Sequence, residues 1–176
     1  MQGYAATGIQ ELAQAAEAPI GSIYHHFPGG KRAVAAAALR ESGAAYIQLL
    51  PMLLDRHADL ATAIEEAFIA AAEDVANTGW ANMCPVGTVG GEIADTEPEL
   101  RQVAAAVIAS WIEAGIRYLT GRGLSQADGR AVMVAVLAAL EGGFLLARAQ
   151  HSTEPLLAAG RALATYVAAL PVAAQA

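Results

Sequence analysis

Apolar positions recur along this chain at intervals of three and four residues, the period of helices that bury one face. Near the start, Ile9, Leu12, Ala13 and Ala16 stand at i, i+3, i+4 and i+7, the stripe of a short amphipathic helix. Thr7 precedes the stripe with its hydroxyl available to cap the first turn. A second helix opens at Pro19, whose fixed φ and missing N–H suit a helix start. Ile20, Ile23 and Phe27 share one of its faces, while Ser22 and His25 point away. Pro28-Gly29-Gly30 stops it, and Lys31 begins the next helix.

The rest of the chain continues in long helical segments. An Ala-rich helix runs from Lys31 to about Leu50, to be kinked or ended by Pro51. Asp59 starts a helix through Thr78 with Leu60, Ile64, Ala67, Phe68 and Ala71 on its inner stripe, and Asn77-Thr78-Gly79 ends it. Trp80 to Gly91 is the least regular stretch, with a short helix expected near Pro85. Glu97-Pro98-Glu99 then opens a long helix to about Thr120, its first turn acidic as the helix dipole prefers. Val103, Val107, Trp111, Ala114 and Tyr118 run down one side of it. Gly121 and Gly123 end it, Ser125 caps a helix over roughly Gln126–Gln150, and Thr153-Glu154-Pro155 starts the last, which stops before Pro171. The pattern predicts an all-α protein.

Composition agrees with that class. Apolar residues, mostly Ala, Val and Leu, make up 56% of the 176 residues. The uncharged run from Val75 to Gly91 is interrupted by Gly, Asn, Thr and Pro, so no membrane span is expected, and no leader pattern is visible. The expectation is a cytoplasmic protein. The net charge of −7 speaks against nucleic acid when taken over the whole chain. Its distribution changes the picture: residues 1–40 carry Lys31, Arg32 and Arg40 against Glu11 and Glu17, a net +1, which leaves −8 on the remainder. A lone cysteine, Cys84, excludes an intramolecular disulfide; it packs as a small apolar residue or starts a helix, with no nearby cation in the sequence to activate it.

The two short N-terminal helices are a helix-turn-helix in outline. Small residues at Gly21 and Ser22 let the backbone approach a major groove, and Tyr24, His25 and Lys31 carry donors for phosphates. The stretch IQELAQAAEAPIGSIYHHFPGGK resembles the DNA-binding domain of TetR-family transcriptional regulators, through Gly21, Ser22, Ile23, Tyr24, His25, His26, Phe27 and Lys31. Its PGGK ending is similar to that of the LmrA/YxaF-like branch. The resemblance implies that Tyr24 and His25 lie on the recognition helix, that Thr7 meets a phosphate, and that Lys31, the sole lysine, binds another. Pro19 and Ile20, at the start of the recognition helix, are counted with this DNA-binding set. The body resembles the ligand-binding domain of the same branch in Cys84-Pro85-Val86, Pro98-Glu99-Leu100-Arg101, Trp111, Gly123-Leu124, Leu140-Glu141-Gly142-Gly143 and Ala147-Arg148-Ala149-Gln150.

Two departures stand out. The family has Gly in the interhelical turn where this chain has Glu17, which must accept strained backbone angles or reshape the turn, and which brings a negative charge toward DNA. The family also carries a further helix ahead of the position of Gly3, where this sequence has Met1 and Gln2. Two helices this short do not bury a core unaided, so either they lean entirely on the downstream body or, the reading preferred here, the sequence begins inside its domain.

Residues 1–46 are therefore expected to form the helix-turn-helix domain with the start of a connecting helix, residues 47–171 an effector-binding and dimerisation domain, and residues 172–176 a frayed tail. Phe68, Trp80, Met83, Cys84, Trp111, Tyr118 and Phe144 either fill the core of the body or line an apolar effector pocket, the use implied by the family. Val132, Val136, Ala139, Gly143 and Ala147 make a small-residue stripe, either an intrachain crossing or, as the family implies, the interface of a homodimer on palindromic operator DNA. His25, His26, His57 and His151 have no ligand partners at metal spacing, so no metal or cofactor is expected. Glu92, Glu113 and Glu141 stand in apolar surroundings without a nucleophile or His partner, which points to capping, exposure or an effector contact rather than to an enzyme. The expected function is a repressor released by a small apolar effector. The alternative is a helical small-molecule binder without DNA activity.

Overall fold

The structure, a computed structural model, describes residues 3–171. Among these residues it is helical throughout, without strands: α1 (Ile9–Ala15), α2 (Ile20–His26), α3 (Gly30–Ile47), α4 (Leu49–Leu54), α5 (Leu60–Asn77), α6 (Pro85–Ile93), α7 (Pro98–Gly121), α8 (Gln126–Gln150) and α9 (Glu154–Ala168). The tail at 172–176 lies outside the described residues. Two compact units emerge. One joins the chain up to Ala45 with Pro85–Ile108, and the other joins Tyr46–Cys84 with the chain from Ala109 onward.

In the first unit the helix-turn-helix rests on a core of Ala13, Leu39, Val86, Ile93, Leu100, Ala104 and Val107, all buried. Gly43 of α3 is buried against Val107 of α7, where an added Cβ would collide with Val107 Cγ1. The first helix is capped differently from expectation. Its N-cap is Gly8, whose N–H donates to Glu11 Oε2 at 2.8 Å, while the Thr7 hydroxyl donates backwards to Gly3 O at 2.9 Å. Glu11 reaches the orphan N–H, so the Thr7 cap is not made. Glu17 does adopt the left-handed conformation, at φ 50°, that the turn requires. For a residue with a Cβ this costs about 1–2 kcal/mol.

In the second unit α9 packs chiefly against α5 and α8. The centre of the core is formed by Phe68, Val75, Leu119, Val132 and Leu156. Gly160 of α9 lies directly on Phe68: an added Cβ would come within 2.6 Å of the Phe68 Cβ. The inner stripe of α5 is Leu60, Ala63, Ile64, Phe68, Ala72 and Val75, so Ala72 takes the fully buried place expected for Ala71. Pro51 acts upstream of where it stands. It lies inside α4, and the break falls at Gln48, because a proline ring displaces the carbonyl four residues back and is tolerated in the first turn of a new helix. Arg122 closes the turn between α4 and α5 by donating to His57 O and Ala58 O, both at 2.8 Å, and to Tyr118 Oη at 2.9 Å.

Against the expectation of no membrane span, α7 and α8 are both long and apolar enough to cross a membrane by length and composition. Each instead contributes to a helical core, through Trp111 and Leu119 on α7 and Val132 and Ala147 on α8.

The cap of α5 gives a direct test of local stability. Asp59 accepts from the Thr62 N–H and from its hydroxyl, each at 2.7 Å, and these bonds hold its carboxyl below the ordinary carboxylate range. A depressed folded pKa means stabilisation that is complete above the ordinary range and is lost as pH falls through the lowered value. Asp59→Ala is expected to destabilise the protein by about 1 kcal/mol at neutral pH. The deficit against the parent should shrink on acidification in urea-unfolding curves.

Candidate nucleic-acid interface and effector site

The recognition surface is built on α2. Pro19 is its N-cap, with φ −59°, and the seven residues that follow make two turns. Ile23 and Phe27 turn partly inward, whereas Tyr24 is 50% exposed and His25 and His26 are also exposed, their rings meeting edge to face at 5.1 Å. Nothing lies within 4 Å of where a Gly21 side chain would be, so the backbone there is open. Two expectations need correction. Ser22 is half-buried, not fully outward, and Ile20 is 42% exposed instead of joining the buried face. With Tyr24 one turn along, Ile20 forms an exposed apolar edge of the helix.

The end of α2 is shaped by close contact. Gly30 opens α3 at φ 61°, and a Cβ on it would lie 3.2 Å from Tyr24 Cε1, so the Tyr24 ring leans over the glycine. The next residue, Lys31, turns to the segment before α1. Its Nζ lies 4.3 Å from the centre of the Tyr4 ring and 3.4 Å from Ala5 O. That segment is itself held by Glu92 of α6, whose Oε2 accepts from the Tyr4 N–H and Oε1 from the Ala5 N–H, both at 2.7 Å. The Tyr4 hydroxyl donates to Glu97 Oε1 at 3.3 Å, and burial followed by the Glu97 charge pushes its pKa up.

In the second unit the seven residues expected at the effector pocket divide into groups. Phe68 is fully buried, and Trp80, Tyr118 and Phe144 pack against the same core. Two of these have further commitments. Tyr118 donates to Asp55 Oδ1 at 2.6 Å, and Trp80, at a strained φ of 63°, stacks on His151 at 5.5 Å while its carbonyl accepts from Arg148 Nε at 2.7 Å. Trp111 and Cys84 gather elsewhere, with two residues outside the expected set. Trp111 is stacked on Tyr46, centroids 6.0 Å apart, and the buried Cys84 is hydrogen-bonded to Glu141. Burial raises the Glu141 pKa, and the contact with Cys84 offsets part of that rise. Burial likewise raises the pKa of Tyr46, with further contributions from Cys84, Asp74 and Glu141. Met83 precedes Cys84 and is half-buried.

The small-residue stripe of α8 faces inward. Val132 and Ala147 are completely buried, Val136 and Ala139 pack on the same core, and a Gly143 Cβ would come within 2.6 Å of Leu156 Cδ2 of α9. The close approach these residues allow is therefore the intrachain crossing. The opposite side of α8 exposes Val134 and Leu145, Leu146 is exposed at the edge of the inward stripe, and α9 exposes Tyr166.

A helical fold with an exposed helix-turn-helix near its start has the architecture of a DNA-binding regulator. The fold is similar to that of the regulatory protein TetR from Rhodobacter sphaeroides, with TM-score 0.77, 24% identity, and coverage of 93% of this chain and 89% of that one. It is also similar to a TetR transcriptional regulator from Chloroflexus aurantiacus, with TM-score 0.73, 26% identity, and coverage of 97% and 88%. The profile for bacterial regulatory proteins of the tetR family matches residues 1–38, and that for the LmrA/YxaF-like transcriptional regulator C-terminal domain matches residues 61–162. The chain is 31% identical to the HTH-type regulator YxaF of Bacillus subtilis over 89% of its own length and 82% of that protein's. It is 28% identical to LmrA of the same organism over 89% and 84%. The chain belongs to the TetR family of transcriptional regulators, in its LmrA/YxaF-like branch.

Proposed function

We propose that this regulator is a homodimeric repressor that binds a palindromic operator through α2 and leaves it when a small apolar molecule occupies the body. The observation that carries this is the exposed face of α2. Gly21, Tyr24 and His25 stand open together on a two-turn helix that follows a tight turn, with Ile20 beside them. A helix of this size enters a major groove, Tyr24, His25 and Ser22 supply hydrogen-bonding groups, and Ile20 offers an apolar contact for a thymine methyl. Thr7 and Lys31 are assigned to phosphates, with Pro19 setting the start of the helix. The family profile over residues 1–38 supports this over a small-molecule binder without DNA activity.

Residues 1–46 are proposed as the DNA-binding domain and 47–171 as the domain for effector and dimer, in a cytoplasmic protein. The proposed effector contacts are Tyr46, Met83, Cys84, Trp111, Phe144 and Glu141, which combine aromatic walls with a raised carboxyl. The dimer is assigned to the exposed apolar surface of α8 and α9, through Val134, Leu145 and Tyr166, and a two-fold dimer presents two recognition helices to the halves of a palindrome. An effector acts only through a difference in affinity between the DNA-bound and released states.

The test is operator binding by gel shift and fluorescence anisotropy, using DNA upstream of the protein's own gene and of its neighbours. Tyr24→Ala and Lys31→Ala are expected to weaken binding while the dimer stays intact. For Lys31→Ala the slope of log affinity against log salt should become shallower by about 0.9 for each subunit bound. Unchanged binding in both variants would reject the assigned roles.

A further inference from the structure

We propose that Glu92 is a positioning residue for DNA binding, acting on Lys31 through the chain segment at Tyr4 and Ala5. The proposal rests on the assignment of Lys31 to a DNA phosphate. Each carboxylate oxygen of Glu92 accepts one backbone N–H, from Tyr4 and from Ala5, both at 2.7 Å. Charged acceptors on two consecutive N–H groups fix the direction of the segment as well as its position. The groups so fixed are the ones that Lys31 uses. Its Nζ lies over the Tyr4 ring at 4.3 Å and 3.4 Å from Ala5 O. An ammonium has three donors, so one held by a carbonyl and a ring face keeps donors for an anion in a restricted set of directions. Glu97 takes the Tyr4 hydroxyl and secures the ring. Gly3 belongs to the same device: a Cβ at this position would collide with the Glu92 carboxylate, which reaches the two N–H groups over a bare backbone.

The sign of the effect separates this role from plain electrostatics. Glu92 is an anion in the DNA-binding unit, so neutralising it should strengthen binding to a polyanion if charge alone mattered. Positioning predicts the opposite. Glu92→Gln offers one acceptor oxygen to two N–H groups and turns an amide toward the other, which releases the segment. Gly3→Ala displaces the same carboxylate while leaving every charge in place.

The experiment measures operator affinity by fluorescence anisotropy from 50 to 200 mM salt. It compares the parent with Glu92→Gln, Gly3→Ala, Lys31→Ala and the double variant Glu92→Gln/Lys31→Ala, with dimer state and melting curves as controls. Each of the first two variants is expected to weaken binding by up to about tenfold per subunit near 0.1 M salt, with a salt slope shallower by up to about 0.9 per subunit. The double variant should bind like Lys31→Ala alone, since both changes remove one contact. The proposal is overturned if Glu92→Gln binds as tightly as the parent or tighter while Lys31→Ala is weakened, or if the double variant loses the sum of both effects. If Lys31→Ala itself changes neither affinity nor slope, the phosphate assignment has failed and the role of Glu92 falls with it.

Discussion

Leu145→Glu is expected to dissociate the dimer and to reduce operator affinity at least 100-fold. Leu145 is the most exposed large apolar side chain of α8, at 61%, and it lies on the face opposite the buried Gly143 and the partly buried Val136. At about 100° per residue, Val134, Ala138, Leu145 and Ala149 fall within one narrow strip of the helix surface. An apolar strip of this kind left open on a long helix marks an association surface. In the proposed two-fold dimer a glutamate there would be buried against an apolar partner surface or, close to the axis, against its own copy, and either costs several kcal/mol. Every 1.4 kcal/mol is a factor of about ten in the dimer constant. A monomer carries one recognition helix and loses the gain of engaging two half-sites at once. Sedimentation velocity and operator titration check both halves. A variant that remains dimeric at micromolar concentration would move the interface to another face.

Phe68→Ala is expected to destabilise the protein by about 3–5 kcal/mol, the range for removing a ring from a close-packed core. Phe68 is 1% exposed, and Gly160 of α9 leaves the room that its ring and Cβ occupy. The helix above it cannot collapse freely into the vacated space, because α9 is also held by Leu156, Leu163 and Val167, so most of the cavity persists. The melting temperature should fall by roughly 10 °C, at 2–4 °C per kcal/mol for a protein of this size. Calorimetry or circular dichroism gives the result. A loss below about 1 kcal/mol would mean that Phe68 borders a void and returns it to the set of effector contacts.

Helix positions were legible in the sequence because their signals are local. Asp59 and Ser125 cap as read, Gly123 takes a positive φ at the end of α7, and Glu17 adopts the strained turn its position requires. The choice of face on α8 was not legible. Alanine and valine occur all round this helix, so the small-residue stripe and the exposed stripe carry nearly the same apolar weight, and only contact with Leu156 decides which is inside. The break falls at Gln48, ahead of Pro51, because proline disrupts the carbonyl behind it.

The candidate sites show the same contrast. The outward set on α2 follows from its motif, apart from Ser22 and Ile20, whose exposure depends on the ends of a helix only seven residues long. The Glu92 contact has no signal in sequence, since a carboxylate that accepts backbone N–H groups 87 and 88 residues away matches no side-chain pattern. Tyr46 stands in an alanine-rich helix with no motif around it, and its stacking on Trp111 emerges from the fold.

The most direct measurement is selection of bound duplexes from a randomised DNA library by the full chain, followed by footprinting of the enriched sequence. A dimer reading DNA through α2 predicts an inverted repeat whose two halves are protected in major grooves about one helical turn, or a multiple of it, apart, with the protection lost in Tyr24→Ala. A folded dimer that enriches no sequence, or one whose footprint is untouched by that substitution, would contradict it.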